Sequence, residues 1–156
     1  MILICLMLGC KLTLTDNLVF SITRLMNNAR IAMKINKKEA RSRWGKTDAY
    51  REHEQKTKNY TKEKWAEVTD GLMAIFAEFA ECKNNEYGVN SPEVQSLVGK
   101  LQDFVTKNYY TCTNEILAGL GQMYVADERF KKNIDKYGGG TAEFASKAIA
   151  LFCQEK

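Results

Sequence analysis

The side chains most suited to chemistry or ligand binding are concentrated between residues 108 and 130. Tyr109 and Tyr110 are followed by Cys112, and Tyr124 lies about three helical turns further on. Each tyrosine joins a large apolar ring to a polar hydroxyl, a combination that suits the wall of a ligand cavity. The same groups could also close a hydrophobic core, so the side-chain types alone leave both roles open.

Cys112 has the most suggestive position of the five cysteines. It lies just before a predicted helix, whose positive end lowers the pKa of a nearby thiol and favours the nucleophilic thiolate. A thiol hydrolase also needs a general base, and the only histidine is His53, which lies in a different and highly charged segment. We therefore predict no catalytic residues and no enzyme activity. Cys112 is interpreted as either a structural cysteine or a ligand contact.

Neither a metal site nor a cofactor is predicted. His53 stands among Arg51, Glu52 and Glu54, which indicates a solvent-exposed side chain rather than a haem ligand in an apolar pocket. The cysteines form no CxxC pair and have no histidine nearby, which argues against zinc and against a disulfide framework. Asp127 is better explained as a helix N-cap than as a cation ligand.

Helical periodicity dominates the chain. Apolar residues recur every three or four positions, and alternating β-branched runs are absent from the sequence. Capping residues precede the apolar runs at Thr47, Thr61, Ser91, Thr113 and Asp127. Five predicted helices follow residue 60 and cover residues 62–83, 92–108, 114–125, 128–137 and 141 onwards. Two or three helices are predicted before residue 60, and one of them covers residues 48–59. We predict an all-α fold of about seven or eight helices.

Most aromatic side chains on these helices are expected in the core, because stripes at helical spacing usually are. Phe76, Phe104 and Phe130 are assigned to the core or its border. A ligand-facing subset is predicted among the side chains of the tyrosine-rich turn, of the helix that follows it and of the segment around the polar helix that begins at Asp48. Its members are Trp44, Tyr50, Tyr109, Tyr110, Cys112 and Tyr124.

The N-terminal part of the chain is basic. Residues 1–64 hold 14 of the 23 Lys and Arg residues and 6 of the 19 Asp and Glu residues, so they carry +8 while residues 65–156 carry −4. A basic segment can contact nucleic acid or an anionic surface, or it can be a solvated helix face beside an acidic body. No aromatic ladder accompanies the charge, which weakens the nucleic-acid alternative.

Residues 1–40 are predicted to form an apolar segment followed by a basic amphipathic helix. The apolar run of residues 1–10 is shorter than the roughly 20 residues that cross a bilayer, so no membrane association is expected. It also lacks the basic flank of a signal peptide, although residues 8–10 (LGC) weakly resemble a lipoprotein cleavage site. The amphipathic helix could pair with a second copy of the chain, which would make a homodimer.

Two ordered motifs resemble the TipAS antibiotic-recognition domain, the ligand-sensing half of certain MerR-type transcription activators. One is YYTC at 109–112 with GLGQMYVADERF at 119–130, and the other is RWGKTDAY at 43–50 with KTKNYTKEKW at 56–65. Together they cover about residues 40–153. The resemblance implies a globin-like ligand-binding domain over residues 41–156, with residues 41–60 as a lid. The implied partner is a bulky hydrophobic small molecule such as a peptide or thiopeptide antibiotic.

The resemblance also limits the expected mechanism. Some members of the family capture thiopeptides through a cysteine that attacks a dehydroalanine, and this sequence has Gly119 at that position, so reversible binding is expected. Residues 1–40 take the place of the linker helix, and they are too few for a preceding winged helix-turn-helix. We therefore expect a cytoplasmic protein that does not bind DNA directly and acts in drug sensing or in resistance by sequestration. A helical protein–protein interaction or dimerisation module is the alternative.

Overall fold

The structure is a computed structural model that describes residues 38–42 and 44–154. Residues 38–42 are helical, and six further α-helices follow: α1 (Asp48–Thr57), α2 (Lys62–Asn84), α3 (Pro92–Asn108), α4 (Asn114–Ala126), α5 (Glu128–Ile134) and α6 (Thr141–Gln154). No strand occurs in this part of the chain, which confirms the predicted all-α fold and agrees with the predicted number of helices. The likeness to globins stays a prediction.

Several predictions fall on residues 1–37, which lie outside the described residues. These are the apolar segment, most of the basic amphipathic helix and the dimer contact through it. Among the described residues, no helix is long and apolar enough to cross a bilayer.

The predicted N-caps set the helix starts. The side chains of Thr47, Thr61, Ser91, Thr113 and Asp127 each accept a hydrogen bond from a backbone N–H of the following turn. Such a cap satisfies one of the four N–H groups that the first turn of a helix leaves without an intrahelical partner. Because the caps are local signals, the observed starts at residues 48, 62, 92, 114 and 128 agree with the predicted starts, and the start at residue 141 also agrees.

The predicted helix at residues 128–137 is divided in two. The α-helix ends at Ile134, and Asp135–Tyr137 forms a turn of 3-10 helix. The Asp135 carboxylate accepts a hydrogen bond from the N–H of Ala142 at 2.9 Å, which ties this turn to the first residues of α6. Gly140 has a φ of 80°, in the left-handed region that glycine adopts without strain, so the predicted glycine break occurs there.

The hydrophobic core lies between α2, α3, α4 and α6. Helix α4 packs closely on α6: a Cβ atom at Gly121 would lie 3.0 Å from Ile149 Cγ2. Phe76 and Phe130 are buried and Phe104 is half-buried against the same core, as predicted. This body holds the end of α3 and the start of α4 in fixed positions, and the candidate site is built on that junction.

Candidate ligand-binding cleft

The turn between α3 and α4, residues 109–113, is called the tyrosine corner below. The backbone N–H groups of Tyr109 and Tyr110 both donate to the carbonyl oxygen of Val105, at 2.9 and 3.3 Å, which ends α3 and turns the chain. Both rings are directed inward, with exposed fractions of 0% and 1%. The sequence predicted that these tyrosines face a ligand, whereas in the fold both side chains are almost completely buried in the protein interior.

Side-chain hydrogen bonds fix the second half of the corner. The Gln102 side-chain amide donates to the carbonyl oxygen of Cys112 and to Asn114 Oδ1, both at 2.9 Å. The N–H of Cys112 donates to Thr106 Oγ1 at 3.1 Å. Because these partners belong to α3 and α4, the corner moves only if the helical body moves.

Helix α1 lies across the corner and is fastened to it by polar contacts. Glu52 accepts hydrogen bonds from the N–H of Thr111 at 2.8 Å and from its hydroxyl at 3.0 Å. The Lys56 ammonium donates to the Thr106 carbonyl at 2.7 Å and lies 3.0 Å from the Glu52 carboxylate. These contacts of Glu52 and Lys56 are called the tether. The Thr111 N–H, helped by Lys56, lowers the pKa of Glu52 despite the opposing effect of burial.

His53 is buried beneath α1, so its predicted exposure is wrong. Its ring is stacked on Trp65 and on Tyr109, with 6.1 Å between ring centroids in each pair. Charged neighbours in the sequence misled the prediction, because they lie on other faces of the helix. Tyr50 and His53 are three residues apart and share the inner face.

A cleft of about 300 Å³ opens between the start of α1 and the corner. It is lined by Trp44, Thr47, Asp48, Ala49, Tyr50, Tyr110 and Ile116. Three of the six predicted ligand-facing residues, Trp44, Tyr50 and Tyr110, are therefore brought together in one place. Ligand sites are commonly lined by aromatic and aliphatic side chains with a few polar groups, and this cleft has that character.

The other three predicted residues do not line the cleft. Tyr109 lies under α1 against His53, and Tyr124 packs edge-on against Phe76 in the core at 5.2 Å between centroids. Cys112 is buried, and burial raises the pKa of its thiol to about 11. The predicted lowering is wrong, because loss of water around the thiolate outweighs the helix dipole.

Ala49 and Ile116 line the cleft and were not predicted. Ile116 lies one turn into α4 on a half-buried face, next to the fully buried Leu117. Its signal in the sequence was an apolar residue at the edge of the core stripe of α4. An apolar residue at the edge of the stripe can be assigned to the cleft only when the position of α1 is known.

A second cavity, of about 290 Å³, lies between α2 and α3, and no residue of the corner lines it. Its carboxylates are Glu78, Glu81 and Glu93, and Glu78 is paired with Lys100. No group of three or more His, Cys, Asp or Glu side chains within residues 38–42 and 44–154 is arranged to hold a metal ion. The cleft at the corner is therefore the better candidate for an organic ligand.

Known proteins are similar to this chain over the region that contains the cleft. A sequence profile of the TipAS antibiotic-recognition domain matches residues 37–152. The HTH-type transcriptional activator TipA of Streptomyces coelicolor is 36% identical over 111 residues, which cover 71% of this chain and 44% of that protein. The HTH-type transcriptional activator mta of Bacillus subtilis is 33% identical over 118 residues, covering 76% and 45%. The chain thus spans less than half the length of these relatives.

A solved structure shares the fold. It is nosiheptide in complex with TipAS, from a study of a thiopeptide antibiotic multidrug resistance system of Streptomyces lividans. The TM-score is 0.72 at 33% sequence identity, and the match covers 78% of this chain and 85% of that one. The likeness therefore extends over most of the helices described above.

Proposed function

The chain belongs to the family of TipAS antibiotic-recognition domains, and on that premise we propose that it binds a bulky hydrophobic antibiotic of the peptide or thiopeptide type. The observation that carries the proposal is the cleft in which Trp44, Tyr50 and Tyr110 meet. The similar structure with nosiheptide supports the ligand class. In the bound state the ligand stacks on these rings and loses its contact with water, which supplies the driving force.

Residues 41–60 act as a lid in this proposal, within a domain that spans residues 41–156. A volume of about 300 Å³ is at the lower end of the roughly 300–1,000 Å³ found for ligand pockets, so a bulky ligand needs α1 to move outward. The tether consists of hydrogen bonds at the surface, which contribute only about 1 kcal/mol each. Helix α1 can therefore open while the corner and the body behind it stay in place.

Binding is proposed to be reversible and without chemical turnover. The raised pKa of Cys112 keeps its sulfur as a thiol at neutral pH, and the thiolate is the nucleophilic form. Gly119, where the resemblance places the attachment cysteine, offers no nucleophile at all. Aromatic stacking and apolar burial then remain as the sources of affinity.

The biological role proposed is drug sensing or sequestration in the cytoplasm. Both relatives are called transcriptional activators, which supports drug-dependent regulation, and binding alone would lower the free drug concentration and give resistance. Residues 65–156 carry a net charge of −4, which opposes contact with phosphate, so direct DNA binding by this region is not part of the proposal.

A calorimetric titration of the chain with nosiheptide tests the proposal. The complex is then denatured and its mass is measured by mass spectrometry. We expect saturable binding to the wild-type chain with no increase in its denatured mass. Trp44→Ala should weaken binding at least tenfold, whereas Tyr87→Ala, in an exposed loop, is the matched control and should not. Absence of binding to the wild-type chain would refute the proposed function, and a permanent mass increase would refute its reversible form.

A further inference from the structure

The backbone of the tyrosine corner is supported by two side chains of α3. The Gln102 amide donates to the carbonyl oxygen of Cys112 at 2.9 Å, and Thr106 Oγ1 accepts from the N–H of Cys112 at 3.1 Å. The two residues are four positions apart, so they lie one above the other on the same face of the helix. We call this pair the clamp, because it holds the N–H and the carbonyl of a single residue.

Each backbone N–H from residue 109 to residue 112 has a hydrogen-bond partner. The first two donate to the Val105 carbonyl, the third to Glu52 of α1 and the fourth to the Thr106 hydroxyl. Backbone polar groups outside regular structure need such partners, because an unpaired buried group costs free energy. Three of these four hydrogen bonds end on α3, so this helix determines the course of the corner.

Two parts of the corner that matter for binding lie next to the clamp. Tyr110 lines the cleft and is held at its N–H by Val105, whereas Cys112 is held by the clamp. Thr111 is the single residue between them, and it supplies the N–H and the hydroxyl that bind Glu52. The clamp therefore constrains both the wall of the cleft and the point at which α1 is fastened.

Neither member of the clamp lines the cleft itself, and both side chains are half-buried. The Gln102 amide also donates to Asn114 Oδ1 at 2.9 Å, which connects the clamp to the first residue of α4. The main-chain carbonyl of Thr106 accepts from the Lys56 ammonium at 2.7 Å, which connects it to α1. The clamp thus contacts both helices that border the cleft.

We propose that Gln102 and Thr106 are positioning residues, which set the ligand affinity of the cleft and the fastening of α1 together. They act through the main chain of Cys112, not through its thiol. Without the clamp the corner adopts other backbone directions, so Tyr110 is less often placed to stack on a ligand and Thr111 less often placed for the tether. Affinity falls with the fraction of binding-competent protein. The effect on affinity rests on the proposed function, whereas the effect on α1 does not.

Gln95 is a matched control for Gln102, because it makes the same kind of contact at the other end of α3. Its amide donates to the carbonyl oxygens of Val89 and Ala148, at 2.6 and 3.3 Å. Methionine at either position keeps the length of the side chain and removes the donors. In calorimetric titrations of the full chain, Gln102→Met should weaken nosiheptide binding at least about fivefold and Gln95→Met less than about twofold. Denaturant unfolding of both variants shows whether their stability losses are comparable.

Thr106 allows a test by loss and recovery of one hydroxyl. Thr106→Val keeps the shape of the side chain without the hydroxyl, Thr106→Ser keeps the hydroxyl, and both keep the carbonyl that Lys56 contacts. We expect Thr106→Val to weaken nosiheptide binding about two- to tenfold, the range for one lost hydrogen bond, and Thr106→Ser to stay within about twofold of the wild-type chain. A packing role predicts the opposite order, because serine lacks the methyl group. This pair decides the proposal if Gln102→Met does not fold.

The fastening of α1 is measured in the free protein, by amide hydrogen exchange of residues 48–57. Exchange should be several-fold faster in Gln102→Met and in Thr106→Val than in Gln95→Met, because Thr111 is then less often in place for the tether. This measurement needs no antibiotic. It therefore tests the clamp even if the proposed ligand is wrong.

The outcomes separate the clamp from the proposed function. Equal exchange of α1 in Gln102→Met and Gln95→Met overturns the clamp, even if nosiheptide binds the wild-type chain. Equal nosiheptide affinities of these two variants, or Thr106→Ser binding as weakly as Thr106→Val, also overturn it. Faster exchange of α1 in a chain whose wild type does not bind nosiheptide would support the clamp and refute the proposed function.

Discussion

Helices α1 and α4 both begin at a threonine N-cap and both contact the tyrosine corner, but different forces hold them. Helix α4 buries Leu117, Leu120 and Tyr124 completely and packs closely on α6. Helix α1 buries only Tyr50 and His53, and much of its remaining attachment is polar. The candidate cleft lies where a firmly packed helix faces a lightly fastened one.

The free energies that hold the two helices explain why α1 should open and α4 should not. Complete burial of an aliphatic side chain contributes about 1.5–3 kcal/mol, so the inner face of α4 accounts for several such amounts. An exposed or half-exposed ion pair contributes at most about 1 kcal/mol, and the Glu52 and Lys56 side chains are each about one-third exposed. We therefore expect opening of α1 to be a local event, and displacement of α4 to unfold the domain.

The largest effect is expected from truncating the inner face of α4. Leu117→Ala should lower the free energy of unfolding by about 2–5 kcal/mol, because it leaves a cavity in the core. Denaturant unfolding followed by circular dichroism measures this. The neighbouring half-buried Ile116→Ala is the control and should cost clearly less. If Leu117→Ala lowers the free energy of unfolding by less than about 1 kcal/mol, α4 is not held by the burial of its inner face as described here.

A smaller effect is expected from the tether. Glu52→Gln removes the charge from the hydrogen bonds to Thr111 and weakens the pair with Lys56, so global stability should fall by only about 1 kcal/mol or less. Amide hydrogen exchange of α1 should nevertheless become several-fold faster. Glu67→Gln, which changes an exposed pair with Lys64, serves as the control. If α1 and α6 accelerate together in Glu52→Gln, α1 is not an independently opening unit.

The tether should also depend on pH. The pKa of Glu52 in the folded chain is below its usual 4.5, so its contribution is fully present above that pH and is lost as the pH falls through the folded-state value. Exchange of α1 should accelerate relative to α6 on acidification below 4.5. Glu52→Gln should lack this component. An identical acid response in both proteins would assign the effect to other groups.

The smallest effect on stability is expected from a substitution at Gly119. This substitution also distinguishes reversible from covalent capture of the ligand. A Cβ atom there meets nothing within 4 Å, and the position is one turn from Ile116 on the same helix. Gly119→Cys should fold normally, with stability changed by about 1 kcal/mol or less. A thiopeptide that carries a dehydroalanine should then add its mass permanently to this variant. Gly119→Ala is the control, and equal masses for both would place Gly119 away from the ligand.

The helices and their caps could be predicted because their signals are local. Thr113 and Asp127 act through neighbours two or three residues away, so the sequence contains all that is needed. The cleft could be predicted in part: Trp44 and Tyr110 were selected by residue type, but their meeting depends on where α1 packs.

The errors about the environment of His53 and Cys112 have one cause, which is burial by distant residues. His53 looked exposed because its sequence neighbours are charged, yet Trp65 and Tyr109 cover it. Cys112 looked activated by the helix dipole, yet burial reverses the expected shift of its pKa. Local patterns predict helix ends well, and they do not predict which face a tertiary neighbour will cover.

Amide hydrogen exchange of α1 with and without nosiheptide tests the central claim most directly. The account predicts that residues 48–57 exchange faster than residues 141–154 in the free protein, and that saturating nosiheptide slows the exchange of residues 48–57 at least tenfold while leaving residues 141–154 unchanged. Equal protection of the two helices in the free protein, or nosiheptide binding that leaves α1 unaffected, would contradict a ligand site beneath an opening helix.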